Sequence, residues 1–182
     1  MVKRRSRLHP SACAFGAAGS LTAVEAKRAG QVVEINISPD PEVLPKPVRR
    51  VRAVPGRGLK GDRNFFEGPG TQPERDRELT LIATEALDAL AEENGIELTA
   101  AESRRNVATR GIDLNELEGK RFRVGDVECE GIELCEPCNH LQGLTKPGVL
   151  RGLVHRGGLR AAILSEGEIA VGDTVAPLTD TP

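Results

Sequence analysis

Strict alternation marks the first legible element. From Gln31, the apolar Val33, Ile35 and Ile37 face one way and the polar Glu34 and Asn36 the other, the period-two pattern of a half-buried strand. The folded domain is expected to begin here. Four prolines in Pro39–Pro47 exclude a helix or a central strand and predict a connecting loop, followed by a strand over Val48–Val54. Gly56, Gly58 and Gly61 then break regular structure. Leu79–Ile82 reads as a strand leading into the clearest helix of the chain. There Thr84 is the expected cap, Ala86, Leu87, Leu90 and Ala91 form the apolar stripe, and Asn94-Gly95 is the stop. Thr99 and Glu102 have capping-box spacing and predict one helical turn before Arg104.

Short strands follow. Arg121–Val124 and Val127–Glu133 flank Gly125-Asp126, and Ile169–Val171 and Thr174–Leu178 flank Gly172-Asp173, so a Val-Gly-Asp turn is expected twice. The flanking residues do not match, which makes this recurring turn chemistry and not an internal repeat. Strands that outnumber helices without alternating with them predict a mainly β fold. A closed β-barrel with one or two short helices is expected in place of a doubly wound sheet.

Length and composition narrow the class. The 182 residues suit one domain, expected at 31–178, with residues 1–30 as a flexible N-terminal extension. Arg4-Arg5 and the mildly apolar Ala12–Ala26 have the outline of a leader, but Thr22 and Glu25 interrupt it. No apolar run approaches the roughly 18 residues of a membrane span. Four Phe and no Trp or Tyr leave the core to Val, Ile, Leu and Ala and provide no stacking platform for single-stranded nucleic acid. A net charge of −2 adds no polyanion-binding signature, so neither nucleic acid nor membrane is an expected partner. The four cysteines, Cys13, Cys129, Cys135 and Cys138, are read as reduced thiols of a cytoplasmic protein.

The densest chemical signal is Leu134-Cys135-Glu136-Pro137-Cys138-Asn139-His140, two thiols and an imidazole after a strand. Three chemistries fit it. A zinc site would take Cys135, Cys138 and one of Cys129, His140 or His155, although no second half-site is evident. A redox dithiol would need a following helix, against which Pro137, Gly143, Pro147 and Gly148 argue. The third is a reactive single thiol; the bland alternative is packing. His155 is read as a barrel histidine more readily than as a catalytic acid.

Charge distribution favours reactivity. No Asp or Glu occurs from Asn139 through Ser165, where Lys146, Arg151, Arg156 and Arg160 do, and nearby cations favour a thiolate. Lys46–Arg63 holds seven basic residues against Asp62 alone and ends in the glycine-rich Gly56-Arg57-Gly58-Leu59-Lys60-Gly61-Asp62-Arg63. Arg104-Arg105-Asn106 adds guanidinium forks and an amide, which suit a ligand with both phosphate and heterocyclic edges.

Five motifs in order then carry a resemblance: Gly58-Leu59-Lys60-Gly61-Asp62-Arg63, Leu79-Thr80-Leu81-Ile82, Arg104-Arg105-Asn106-Val107 with Thr109-Arg110-Gly111, Cys135-Glu136-Pro137-Cys138, and Val171-Gly172-Asp173. Over roughly Gln31 to Leu178 the chain resembles the MOSC domain, the module found at the C-terminus of molybdenum-cofactor sulfurases. The resemblance implies a barrel of the pyruvate-kinase type and molybdenum cofactor (molybdopterin) as ligand. It implies Cys138 as the catalytic, metal-binding thiol and Arg104 and Asn106 as pterin-phosphate contacts, with Arg105, Thr109, Lys60 and Arg63 as neighbours. The function so implied is that of a small oxidoreductase acting on N-hydroxylated or similar small molecules, served by an electron-donor protein. The alternatives are a persulfide sulfur carrier working with a separate pyridoxal-phosphate desulfurase, and a zinc-stabilised binding module.

Overall fold

The structure, a computed structural model, describes residues 29–68 and 74–178; Cys13 and the segment read as an extension before Ala29 lie outside the described residues. Seven strands close a barrel. In order around it they are Thr174–Pro177 (β11), Arg121–Val124 (β7), Val127–Leu134 (β8), Leu159–Ile163 (β9), Leu79–Ala83 (β5), Val107–Arg110 (β6) and Gly30–Ile37 (β1). The seam is the antiparallel pairing of β1 with β11, Gly30 opposite Val175 and Gln31 opposite Thr174. Only β5 and β6 run parallel, with Leu81 opposite Val107. A parallel neighbour needs a crossover, and the chain supplies it with the helix Thr84–Asn94 (α1).

Lys46–Val48 (β2) extends the sheet beside β1, and Arg50–Val54 (β3), Gly58–Leu59 (β4) and Gly167–Ala170 (β10) form a separate three-stranded sheet. This small sheet gives Val51, Ala53, Leu59 and Ile169 to the same core as the barrel interior, where Leu79, Leu81, Phe122 and Leu159 are fully buried. Each such large apolar side chain contributes about 1.5–3 kcal/mol on burial. A second cluster lies on the outer wall. Ile82 and Ala108 meet Leu87 and Leu90 of α1, Leu141 of the helix Asn139–Leu144 (α2), and Val149 of the short helix Val149–Gly152 (α3).

The expected barrel is therefore the observed one, decorated among the described residues by three helices where one or two were expected. Several local expectations shift. In β1 a bulge between Val32 and Glu34 resets the alternation, so Val32 and Ile35 are buried while Val33 is 36% exposed. The strand expected over Val48–Val54 is divided at Arg49 between β2 and β3. Thr84 is the first residue of α1 and not its cap, because its hydroxyl donates to the Thr109 carbonyl at 3.1 Å. Gly95 ends the helix in the left-handed conformation, φ 66°, as read. Thr99 and Glu102 form a reciprocal box, the Thr99 amide donating to Glu102 at 2.8 Å and the Glu102 amide to the Thr99 hydroxyl at 3.2 Å. The first Val-Gly-Asp turn joins the hairpin β7–β8, whereas the second carries the chain from one sheet to the other.

Glu78, 3% exposed, ties the two sheets together. One carboxylate oxygen accepts the amide of Gly56 at 3.1 Å and that of Ile163 at 2.9 Å. Burial pushes this carboxyl above its ordinary value, against the lowering effect of the two amides and Arg75. A group that gains proton affinity on folding adds stability as pH falls through its raised pKa, and that contribution is lost as pH rises. Glu78→Gln keeps an acceptor oxygen without the charge. Urea denaturation at neutral pH is therefore expected to find it at least as stable as the wild type, with that advantage shrinking towards the ordinary carboxylate range.

Candidate functional site

On the outer face of the barrel wall, Thr80 of β5 stands opposite Arg160 of β9, and the segment leading into β6 runs alongside. Three loops converge there. The glycine-rich turn after β4 brings Asp62 and Arg63, the turn before β6 brings Arg104, Arg105 and Asn106, and the chain leaving β8 brings Cys135 and Cys138.

Asn106 is the joint of the first two loops. It is 4% exposed, and its side-chain nitrogen donates to Asp62 Oδ2 at 3.1 Å and to the Asn36 carbonyl at 3.4 Å. Its side-chain oxygen accepts the Thr80 hydroxyl at 2.8 Å. Asp62 also accepts the amides of Ser38 at 3.3 Å and Asn64 at 3.1 Å. The Asn106 amide is thus spent inside the protein, so it holds the wall together rather than facing a ligand.

Arg105 joins the second loop to the third. Its Nε donates to the Gly157 carbonyl at 2.9 Å, Nη2 to the Cys135 carbonyl at 3.0 Å and Nη1 to the Ser103 carbonyl at 3.3 Å. All three acceptors are neutral. Burial holds this guanidinium below its ordinary value; the Cys135 and Cys138 thiols, when ionised, favour its charge, and Arg160 and Arg63 oppose it. Glycines at 157 and 158 make the close approach feasible. A β-carbon on Gly157 would strike the Cys135 carbonyl oxygen, and one on Gly158, φ 113°, would strike that of Leu81.

Cys135 is 3% exposed, whereas Cys138 is exposed. The sequence argument against a helix after this motif is corrected. Asn139–Leu144 is helical with Cys138 as its N-cap residue, because Pro137 lies before the helix and Pro147 beyond it, and a six-residue helix tolerates Gly143. Glu136, between the thiols, binds the ring of His155 at Nδ1 (3.0 Å) and its backbone amide (3.0 Å). The Asn115 side chain donates to the His155 carbonyl at 2.8 Å. These bonds hold His155 at φ 60°, uncommon for a residue with a β-carbon.

The remaining cations divide. Arg160 reaches Asp76 at 2.8 Å and Glu133 at 3.4 Å; although burial opposes its charge, Cys135 and the two carboxylates hold it above its ordinary value. Arg104, φ 62°, donates to the Pro41 carbonyl and to that of Val43 at 3.4 Å. Arg63 is nearly enclosed, 19% of its side chain exposed, with Asp62 no nearer than 3.9 Å. Others in the basic stretches serve elsewhere: Arg50 pairs with Glu168, Arg52 with Glu166 and Arg156 with Glu93. Lys60 is exposed at the turn after β4. Thr109 is fully buried on the barrel-facing side of β6, its hydroxyl on the Ile82 carbonyl at 3.4 Å. The sequence reading named Arg160 only among the cations near the thiols and Thr80 only within a motif; their pairing across β5 and β9 places them side by side on the wall.

The closed mixed barrel is a fold shared with solved structures. The chain is similar to the YUAD protein from Bacillus subtilis, with a TM-score of 0.69 at 17% identity, over 83% of this chain and 97% of that one. YiiM from Geobacillus stearothermophilus aligns with a TM-score of 0.64 at 18% identity, over 82% of this chain and 75% of that one. YiiM from Escherichia coli aligns with a TM-score of 0.60 at 16% identity, over 83% and 71% respectively. No curated protein matches the sequence. The family is nonetheless defined, since the model of the MOSC domain matches residues 48–176. The chain belongs to the MOSC domain family.

Thiol chemistry follows from the burial. Among Cys129, Cys135 and Cys138, iodoacetamide in native buffer is expected to alkylate Cys138 first, and mass mapping reads the order. Arg105→Met removes the bonds that seat Cys135, so Cys135 is expected to become reactive in that variant while Cys129, inside the barrel, stays protected. Gly158→Ala is expected to lower stability by about 3 kcal/mol, from backbone strain and the Leu81 clash, measured by urea denaturation.

Proposed function

We propose that this MOSC domain binds molybdenum cofactor beside Cys138, where the three loops converge, and acts as a small cytoplasmic oxidoreductase on N-hydroxylated or similar small molecules, with an electron-donor protein as partner. One observation supports this above the rest. An exposed thiol, a soft metal ligand, belongs to the surroundings of Arg105, a guanidinium bonded only to neutral carbonyls, and Arg63, 3.9 Å from Asp62, bears on the same Arg105. Such a donor set fits a group that joins a thiophilic metal to a phosphate.

Cys138 would hold the metal, and Arg63 and Arg104 would take the phosphate. When bound, the cofactor supplies two-electron redox chemistry. The chain's own residues supply position. Arg105 fixes the loop that presents Cys138, and Asn106 and Asp62 fix the turns that present Arg63 and Arg104. Buried as they are, Asn106 and Thr109 support the wall rather than touch the ligand.

The exposure of Cys138 also favours a second reading, a persulfide carrier loaded by a pyridoxal-phosphate desulfurase. The zinc-stabilised module has less support, since no group of three His, Cys, Asp or Glu placed to hold a metal occurs among the described residues.

Elemental analysis of wild type and Cys138→Ala, both purified from cells that make the cofactor, tests the first reading. Molybdenum is expected in the wild type and its loss in the variant. Metal-free wild-type protein that gains one sulfur on Cys138 after incubation with a desulfurase and cysteine would replace that reading with the carrier.

A further inference from the structure

Arg104 and Arg63 are in unlike states. Arg104 gives its guanidinium to two loop carbonyls, Pro41 and Val43, and so latches the segment 39–45 onto the barrel. That segment's other bonds lie within the segment itself, from the amides of Glu42 and Val43 to Asp40, or run to Ser38. The Ser38 hydroxyl bonds to the Asp40 carbonyl at 2.7 Å and the Val43 carbonyl at 2.9 Å, Pro45 is buried, and Val43 and Leu44 are 43% and 54% exposed. Arg63, although 19% exposed, makes no side-chain hydrogen bond among the described residues. The Asn106–Asp62 bond at 3.1 Å brings its turn against that of Arg104, and its charge bears on both Arg104 and Arg105.

Two carboxylates belong to the same surroundings. Asp62 has its oxygens occupied by Ser38, Asn64 and Asn106, and Glu42 is carried by the latched loop itself. The local balance among Arg63, Arg104, Arg105, Asp62 and Glu42 is positive by one charge, and release of the loop would carry Glu42 away. A guanidinium bonds more strongly to a phosphate oxygen than to a neutral carbonyl, with two donors in parallel where geometry permits.

We propose that Arg63 and Arg104 form a phosphate subsite where their two turns meet, in which Arg63 is the standing donor and Arg104 is recruited from the 39–45 loop, so that an arriving phosphate monoester releases that loop. The inference rests on the cofactor reading for the identity of the ligand, but not for the exchange itself. Arg104 has two sets of acceptors, one in the loop and one on the ligand. Arg63 makes the second set competitive.

Glu42 lies within the latched loop, so cleavage after it by a glutamate-specific protease reports the release, followed by mass spectrometry of the fragment ending there. Inorganic phosphate, against chloride at equal ionic strength, is expected to accelerate that cleavage about fivefold or more in cofactor-free wild-type protein, the effect of about 1 kcal/mol on the latch. Arg104→Gln is expected to be cleaved rapidly with or without phosphate. Arg63→Gln is expected to lose the acceleration, and Arg63→Lys, which keeps the charge and the stem, to need severalfold more phosphate.

A second arm uses protein from cofactor-producing cells. Rapid cleavage without added phosphate there assigns the subsite to the cofactor's phosphate monoester. Acceleration by added phosphate alone assigns it to free phosphate and leaves the exchange intact even if no molybdenum is found. Phosphate that slows cleavage or leaves it unchanged in wild type, or an acceleration that survives in Arg63→Gln, overturns the proposal.

Discussion

One guanidinium holds the third loop of the candidate site in place. Arg105 reaches carbonyls 30 and 52 residues further along the chain, those of Cys135 and Gly157, and a third at Ser103. Charge-assisted bonds to carbonyls are short and directional, and no carboxylate shares them. The cost of enclosing that charge is therefore met only in part within the protein. This partial compensation gives the loop a fixed shape and leaves a local excess of positive charge beside the exposed thiol. Structure and candidate chemistry share one cause.

The wall behind that loop follows the same logic. Asn106, Asp62 and Thr80 satisfy one another in a place where unpaired polar groups would be costly. Their bonds tie β1, β5 and the glycine-rich turn at one point. The sequence motifs around Asp62 and Asn106 thus describe a scaffold whose neighbours, Arg63 and Arg104, take no part in its hydrogen bonds. Adjacent residues in one motif divide the labour between holding and presenting.

Much of the fold was legible because its signals are local. The alternation of β1, the Gly95 stop, the Thr99–Glu102 box and the turn at Gly125 each depend on side chains a few residues apart. The bulge in β1 was not legible, since a register shift depends on which strand lies opposite. The short helix after Cys138 was hidden by Pro137 and Gly143, which weigh against helix by composition but sit at positions the helix tolerates. Within the candidate site, clusters along the chain pointed to three loops that the structure brings together. They did not separate Arg63 from Asn106, because which side chain is already occupied depends on contacts with distant strands. Arg160 and Thr80 required the pairing of β5 with β9.

The seam of the barrel places a constraint on its birth. Gly30 and Gln31, near the start of the domain, pair with Val175 and Thr174, near its end. During synthesis the first strand emerges from the ribosome long before its partner, and the circle of hydrogen bonds cannot be completed until almost the whole domain is in solution. Contacts so distant along the chain are slow to form, and until they do β1 offers an open edge to any other extended chain. The bulge that twists this strand, and the short β2 that covers the far end of the same edge, shorten the stretch on which a stray partner could dock.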